Sequence, residues 1–290
     1  MEILKIIIDG LSIGSTYAMI ALGYTMVYGI AKMLNFAHGD VIMAGGYAMF
    51  VTLTLCGQPL VALAAAVVFC TILGVTVEKV AYKPLRGASP LAVLITAIGV
   101  SSLLQSLAQI IFSSAPKRVV VADLGNVMIG GESIPLSTFV TLGCSTVIMA
   151  ALTLFVKYTR TGRAMVAVSE DRDAAQLMGV DSNKIITITF AIGSALAAFA
   201  AFFMLMKSPS LTNTLGAMPG IKAFTAAVIG GIGSIPGAML GGLLMGIVEA
   251  VAQKFPLIAP YTDAIEFLIL IIILLVRPTG LIGKKRREKV

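Results

Sequence analysis

Residues 60–81 read LVALAAAVVFCTILGVTVEKVA, an apolar run that meets its first charged residue at Glu78. A helix needs about 20 mostly apolar residues to cross the hydrocarbon core of a bilayer, and this run is long enough. Comparable apolar runs recur along the chain at 6–30, 41–56, 91–112, 137–156, 185–206, 222–232, 237–252 and 261–277. The sequence therefore predicts an all-α protein, a polytopic transmembrane helical bundle of about eight or nine membrane segments that include short or broken helices.

The composition also indicates a membrane protein. Hydrophobic residues make up 58% of the 290 residues and charged residues 12%, whereas a soluble domain carries about 25% charged residues. We expect a single transmembrane domain over 1–290, without a separate nucleotide-binding domain and without a cleaved leader. The three cysteines are scattered within apolar runs, so neither disulfides nor a metal site is expected.

Basic residues lie at the edges of the apolar runs, which indicates membrane orientation rather than a nucleic-acid partner. The positive-inside bias places three basic segments in the cytoplasm: 79–90, the loop 157–184 and the tail 277–290. Segment 113–136 has balanced charges and is predicted to be external. The tail ends in the cytoplasm only if both short runs, 222–232 and 237–252, cross the membrane. Counting the crossings backwards from 79–90 puts the N-terminus outside, unless 31–40 lies inside the membrane as a broken helix.

The loop 157–184 contains a pattern typical of a short helix with a charged start. Ser169 is a candidate N-cap, acidic residues suit the first turn, and Gly179 suits a left-handed stop. Ala174, Ala175, Leu177 and Met178 would give this helix a small apolar face. That face suits either a groove on a partner protein or the membrane surface.

A second polar cluster, 34–40, interrupts two apolar runs and holds the only histidine of the chain, His38. Polar side chains within a membrane are costly unless they are paired or functional. One interpretation is a broken helix that lines a transport path and meets a zwitterionic ligand. The other is a short cytoplasmic turn in which Asp40 caps a helix. No nucleophile–base pair that would indicate an enzyme lies nearby.

Further polar and small residues recur at helical spacing and leave two interpretations open. Stripes at Ser101, Gln105 and Gln109 and at Tyr17, Tyr24 and Tyr28 suit a path lining or hydrogen bonds between helices. Glycine and alanine pairs spaced four apart in 237–246 suit tight helix packing or, less readily, a glycine-lined passage. Glu249 and Glu266 suit ion coupling or a position near the external interface.

The run 230–234 is glycine-rich but is not a phosphate-binding loop. It lacks the Gly-Lys-Ser/Thr ending that holds nucleotide phosphates. We therefore expect the chain to be a non-enzyme that does not hydrolyse ATP itself.

Several motifs in this order resemble the branched-chain amino acid permease family of ATP-binding-cassette (ABC) importers. They are GSTYAMIALG at 14–23, NFAHGD at 35–40, DAAQLMG at 173–179, AAVIGGIGSIPGA at 226–238 and RPTGL at 277–281. The sequence is most similar to the smaller, LivH-like permease of the leucine, isoleucine and valine system. The family also includes permeases for urea and short amides, so these substrates are alternatives. A different class of transporter is a second alternative: an ion-coupled secondary carrier that uses Asp9, Glu249 or Glu266.

The resemblance implies a permease domain in the bacterial inner (plasma) membrane, with 163–182 as the coupling helix. It implies four kinds of partner: a homologous second permease in a heterodimer, two ABC ATPase subunits, an external or periplasmic substrate-binding protein, and membrane lipid. No cofactor is expected on this chain, because ATP and Mg²⁺ would be used by the ATPase subunits. The coupling candidates are Arg163, Glu170, Asp173, Ala174, Ala175, Leu177, Gly179 and Asp181. The path candidates are Tyr17, Asn35, His38, Gly39, Asp40, Gln105, Gly230 and Gly231.

Overall fold

The computed structural model describes residues 2–122, 124–129 and 132–283. The distal part of the predicted basic tail, 284–290, lies outside the described residues. Among the described residues, nine helices follow the apolar runs: α1 Glu2–Ala31, α2 His38–Cys56, α3 Pro59–Val77, α4 Pro90–Phe112, α5 Leu136–Tyr158, α8 Ser182–Lys207, α9 Ala217–Gly230, α10 Ile235–Lys254 and α11 Thr262–Val276. Two shorter helices, α6 Arg160–Glu170 and α7 Arg172–Leu177, lie in the basic loop between α5 and α8.

Eight helical segments in the described part of the chain are long and apolar enough to cross a membrane. The third of them extends α3 through a π-helical turn, Glu78–Tyr82, and a 3₁₀ turn, Lys83–Leu85. The short run predicted at 222–232 forms α9, whose 14 residues make it the shortest of the apolar helices. The prediction of an all-α polytopic bundle with short or broken segments is confirmed.

Strands contribute two small antiparallel ribbons at one end of the bundle. Strand β1 (Lys117–Arg118) pairs with β4 (Ser210–Leu211), and β2 (Asn126–Ile129) pairs with β3 (Glu132–Pro135). The ammonium of Lys5 in α1 lies 2.9 Å from the carboxylate of Glu132 at this end. The start of α1 therefore lies on the same side as the segment predicted to be external.

We call this end the outer end, and the opposite one, which carries α6, α7 and the α3–α4 connection, the docking end. Helix α1 runs between them through the centre, packed on α8, α9 and α10. Small residues allow the closest approach: a Cβ added to Gly246 would lie 2.1 Å from the backbone nitrogen of Gly14, and one on Gly242 would lie 2.4 Å from Ala18 Cα. The prediction that the glycine pairs of 237–246 serve tight helix packing is confirmed.

Candidate docking surface and translocation path

The loop between α5 and α8 folds into two helices rather than the single predicted helix. Helix α7 begins after Asp171, whose carboxylate accepts hydrogen bonds from the backbone N–H groups of Asp173 at 3.1 Å and Ala174 at 3.0 Å. The prediction that Ser169 caps this helix was wrong, because its hydroxyl donates to the Val166 carbonyl inside α6. Both residues are good caps, but the extended backbone lies at Asp171, with φ −149°.

Helix α7 presents an exposed apolar tip at the docking end. Leu177 is 89% exposed and Met178 85% exposed. The turn ends at Gly179 with φ +86°, the left-handed conformation that the sequence predicted. Ala175 is only 5% exposed and therefore does not belong to the outward face, which corrects that part of the prediction. The remaining coupling candidates of this loop are also exposed: Arg163, Glu170, Asp173, Ala174 and Asp181.

Helices α6 and α7 are fixed to the bundle rather than loosely tethered. Gly162, Met165 and Val168 of α6 are buried on one side, as expected of an amphipathic helix. Asp181 caps α8 by accepting hydrogen bonds from the N–H groups of Asn183 and Lys184, both at 3.1 Å. The bond from the Lys184 N–H is the main cause that lowers the pKa of Asp181. Only three residues, 178–180, separate α7 from this cap.

The polar cluster at 34–40 forms a break between α1 and α2 that is buried inside the protein. Lys32 adopts φ +56° just after α1 ends, and α2 begins at His38. Asn35, His38 and Asp40 are each at most 6% exposed. Non-helical backbone at such a position is tolerated where protein buries it or where it lines a cavity. The broken-helix interpretation therefore agrees with the structure better than a solvated turn.

Residues from α1, from α4 and from the turn before α9 converge on this break. The amide of Gln105 donates to the Asp40 carboxylate at 2.8 Å, which brings the two path candidates together. Tyr24 packs edge-on against His38, with ring centroids 4.9 Å apart. A Cβ added to Gly39 would lie 2.5 Å from the Gly216 carbonyl oxygen, so only glycine fits there. Asn35, His38, Gly39, Asp40 and Gln105 thus form one site.

Three path candidates lie elsewhere. Tyr17 donates a hydrogen bond of 2.6 Å to Glu249, toward the outer end. Gly230 contacts the backbone of Gly237 where α9 and α10 meet, and Gly231 contacts the backbone of Gly283. The surroundings of Gly230 therefore match helix packing, whereas Gly231 follows α9 with φ +107° and packs against the segment after α11.

Sequence reasoning missed Lys222, the centre of a buried ionic cluster. Its ammonium lies 2.8 Å from Asp263, 3.3 Å from Glu266 and 3.4 Å from Glu249. The cluster joins α9, α10 and α11, and Tyr17 attaches it to α1. Glu249 and Glu266 lie toward the outer end, as one of the two interpretations expected, but both are buried. Lys222 could have been found as the charged residue inside the apolar helix α9, because such residues are costly unless paired.

A cavity of about 610 Å³ opens at the outer end, between α1, the β2–β3 ribbon and helices α5, α8 and α10. Charges of both signs line it, among them Asp9 and Lys207. Gln253 lies in its wall and donates to Glu249 at 2.9 Å, which connects the cavity to the Lys222 cluster. A cavity with both signs of charge is chemically suited to a zwitterion.

The family model described as "Branched-chain amino acid transport system / permease component" matches residues 6–274. The chain belongs to this branched-chain amino acid permease family. It is 44% identical to the high-affinity branched-chain amino acid transport system permease protein BraD of Pseudomonas aeruginosa, covering 99% of this chain and 98% of that one. It is 42% identical to the permease protein LivH of Escherichia coli K12, covering 97% and 96%.

A solved structure supports the fold. PsaBC from Streptococcus pneumoniae in complex with Fab is 16% identical, with a TM-score of 0.50, and the match covers 97% of this chain and 92% of that one. At this identity the likeness concerns the fold alone. Together, the family and the eight candidate spans identify a multi-pass protein of the inner (plasma) membrane.

Proposed function

We propose that this chain is the membrane-spanning subunit of an ABC importer for branched-chain or closely related hydrophobic amino acids. The observation that carries the proposal is the α7 tip, where Leu177 and Met178 stand exposed between two spans at the docking end. An exposed pair of this size suits insertion into a groove of a partner protein. Two ATPase subunits would bind ATP and Mg²⁺ and hydrolyse the ATP.

The remaining partners follow the division of labour of the family. A second homologous permease would complete a heterodimer, and an external or periplasmic binding protein would deliver the amino acid. The outer cavity, with Asp9 and Lys207 in its wall, offers opposite charges to the two ends of a zwitterion. The names of BraD and LivH support a branched-chain substrate over urea or short amides.

The docking role is tested by co-purification of the tagged permease with the ATPase subunits of its system. Leu177→Glu with Met178→Glu places two charges in the proposed interface and should weaken ATPase retention at least about tenfold, since tenfold corresponds to about 1.4 kcal/mol. Leu257→Glu is the matched control, because Leu257 is 90% exposed at the outer end.

Membrane insertion and yield should be unchanged in both variants. Equal ATPase retention by wild type and the α7 variant would remove α7 from the interface. An ion-coupled carrier would instead purify without an ATPase and transport without ATP. Two of the carboxylates that such a carrier would use, Glu249 and Glu266, both pair with Lys222, so a structural role accounts for them.

A further inference from the structure

The π-helical turn Glu78–Tyr82 lies between the docking helices and the broken helix. It follows α3 at the docking end, and the side chains at its two ends are buried. Glu78 is 0% exposed and Tyr82 is 1% exposed. A buried carboxylate needs a charged or hydrogen-bonded partner, and a buried phenol needs an acceptor. The partners of these two side chains lie in opposite directions.

Glu78 is bound on the docking side. One oxygen of its carboxylate accepts from the guanidinium of Arg86, and the other accepts from the hydroxyl of Thr187 at 2.9 Å. Arg86 also donates to the side-chain oxygen of Asn183, on the first turn of α8. The same oxygen accepts from Arg172 of α7 at 3.5 Å. Asn183 and Arg86 thus connect Arg172 of α7 to Glu78, and the 3.5 Å contact of Arg172 is the longest step.

Tyr82 is bound on the path side. Its hydroxyl donates to the side-chain oxygen of Asn35 at 2.8 Å, inside the break between α1 and α2. The Asn35 carbonyl accepts from the backbone N–H of His38 at 3.1 Å, so Asn35 holds the first residue of α2. The Tyr82 ring packs on Phe190 of α8 at 5.4 Å, which keeps the phenol in place.

We propose that Glu78, Arg86 and Tyr82 are positioning residues that transmit movement of the docking helix α7 to the break between α1 and α2, residues 32–37. The inference rests on the proposed function, because it needs an ATPase to move α7. Charge-assisted hydrogen bonds hold the α7 side of the connection, and the short π-helical turn carries both contacts as one unit. Energetic coupling between two sites travels through such packed and hydrogen-bonded elements, and mutation along them changes the coupling.

The test measures ATP hydrolysis and amino acid uptake in the complete complex, reconstituted in proteoliposomes with its binding protein. Tyr82→Phe removes only the hydroxyl that holds Asn35, and should lower the amino acid imported per ATP by about threefold or more while hydrolysis stays near wild type. Tyr47→Phe is the matched control, because Tyr47 is also buried but stacks on Phe112. It should leave the ratio unchanged.

The docking side is tested with Arg86→Gln and with the double variant Glu78→Gln/Arg86→Gln. The single variant leaves a buried carboxylate without its cation and is expected to reduce assembly. The double variant removes both charges, so it should assemble and show the lowered import per ATP. Lys184→Gln, which removes an exposed cation beside Asn183, should behave as wild type.

A merely structural role is separated from transmission by a double-mutant cycle. Tyr82→Phe combined with Asn35→Ala should lower the import per ATP no further than the larger single effect, because the two groups share one hydrogen bond. Additive effects, or equal losses of hydrolysis and transport in Tyr82→Phe, would overturn the proposal. If the wild-type complex imports without ATP, the proposed function itself fails, whereas an ATP-driven wild type with fully coupled variants refutes only the transmission path.

Discussion

In the Lys222 cluster, removing the one cation should destabilise the fold far more than removing one of the anions. Its ammonium serves three carboxylates, of which Glu266 is fully buried and Glu249 nearly so, whereas Asp263 is half exposed. Lys222→Met keeps the apolar stem and removes the charge. Removing one partner of a buried ion pair costs about 3–5 kcal/mol, because the other charge remains desolvated and unpaired. Asp263 adds little, since water screens it.

Glu266→Gln should lower the free energy of unfolding much less, by under about 1 kcal/mol. The Lys222 ammonium keeps two carboxylate partners, and these no longer compete with Glu266 for it. Combining the two substitutions should recover part of the loss caused by Lys222→Met, since one unpaired buried charge disappears. The measurement is thermal unfolding of the purified chain in lipid nanodiscs, where the Lys222→Met loss corresponds to a drop on the order of 10 °C.

The control is Lys184→Met, which removes an exposed lysine and should leave the unfolding temperature unchanged. If Lys222→Met melts with the wild type, the cluster contributes nothing to stability. If Glu266→Gln is as damaging as Lys222→Met, the reasoning about one shared cation is wrong.

Two further predictions concern the glycine contacts between α1 and α10 and the Asp181 cap of α8. Gly246→Val should separate α1 from α10 and destabilise the fold by about 2 kcal/mol or more, because its Cβ would lie within 2.2 Å of Gly14 Cα. Gly99→Ala, with open space around it, should be neutral or stabilising in the same unfolding assay, and an equal loss in both would contradict the packing account. Asp181→Ala should speed hydrogen exchange of the Asn183 and Lys184 amides at neutral pH, since the carboxylate caps them. Because the pKa of Asp181 is lowered in the folded state, the stabilisation by this cap is present above the ordinary carboxyl pKa. It is lost only as the pH falls through the lower folded pKa. If the two amides lost their exchange protection already above the ordinary carboxyl pKa, the capping role of Asp181 would be contradicted.

Much of the fold was predictable because each membrane span is a local property of the sequence. The run at 60–81 and the charge bias of the loops predicted both the helices and which segments share an end of the bundle. The glycine stop at Gly179 was predictable for the same reason, since the left-handed conformation belongs to one residue. The division between α6 and α7 was not, because Ser169 and Asp171 are both suitable caps and only the backbone of the folded loop selects one.

The contacts that connect distant parts of the chain were not predictable from local patterns. Lys222 and Glu249 lie 27 positions apart, and Tyr82 and Asn35 lie 47 apart, so helical periodicity carries no information about either pair. The stripe containing Gln105 did predict a polar helix face, and the structure supplied the partner, Asp40. The path candidate Gly230 matches the small-residue pattern of helix packing, which a sequence alone does not separate from a passage.

Under the proposed function, the chain imports amino acids only when a bound partner hydrolyses ATP. The most direct measurement is uptake of radiolabelled leucine into proteoliposomes that contain the chain with its partner permease, ATPases and binding protein. We expect uptake that requires ATP and Mg²⁺, persists without an ion gradient and is lost in the Leu177→Glu/Met178→Glu variant. Uptake by the chain alone, driven by a proton or sodium gradient without ATP, would contradict it.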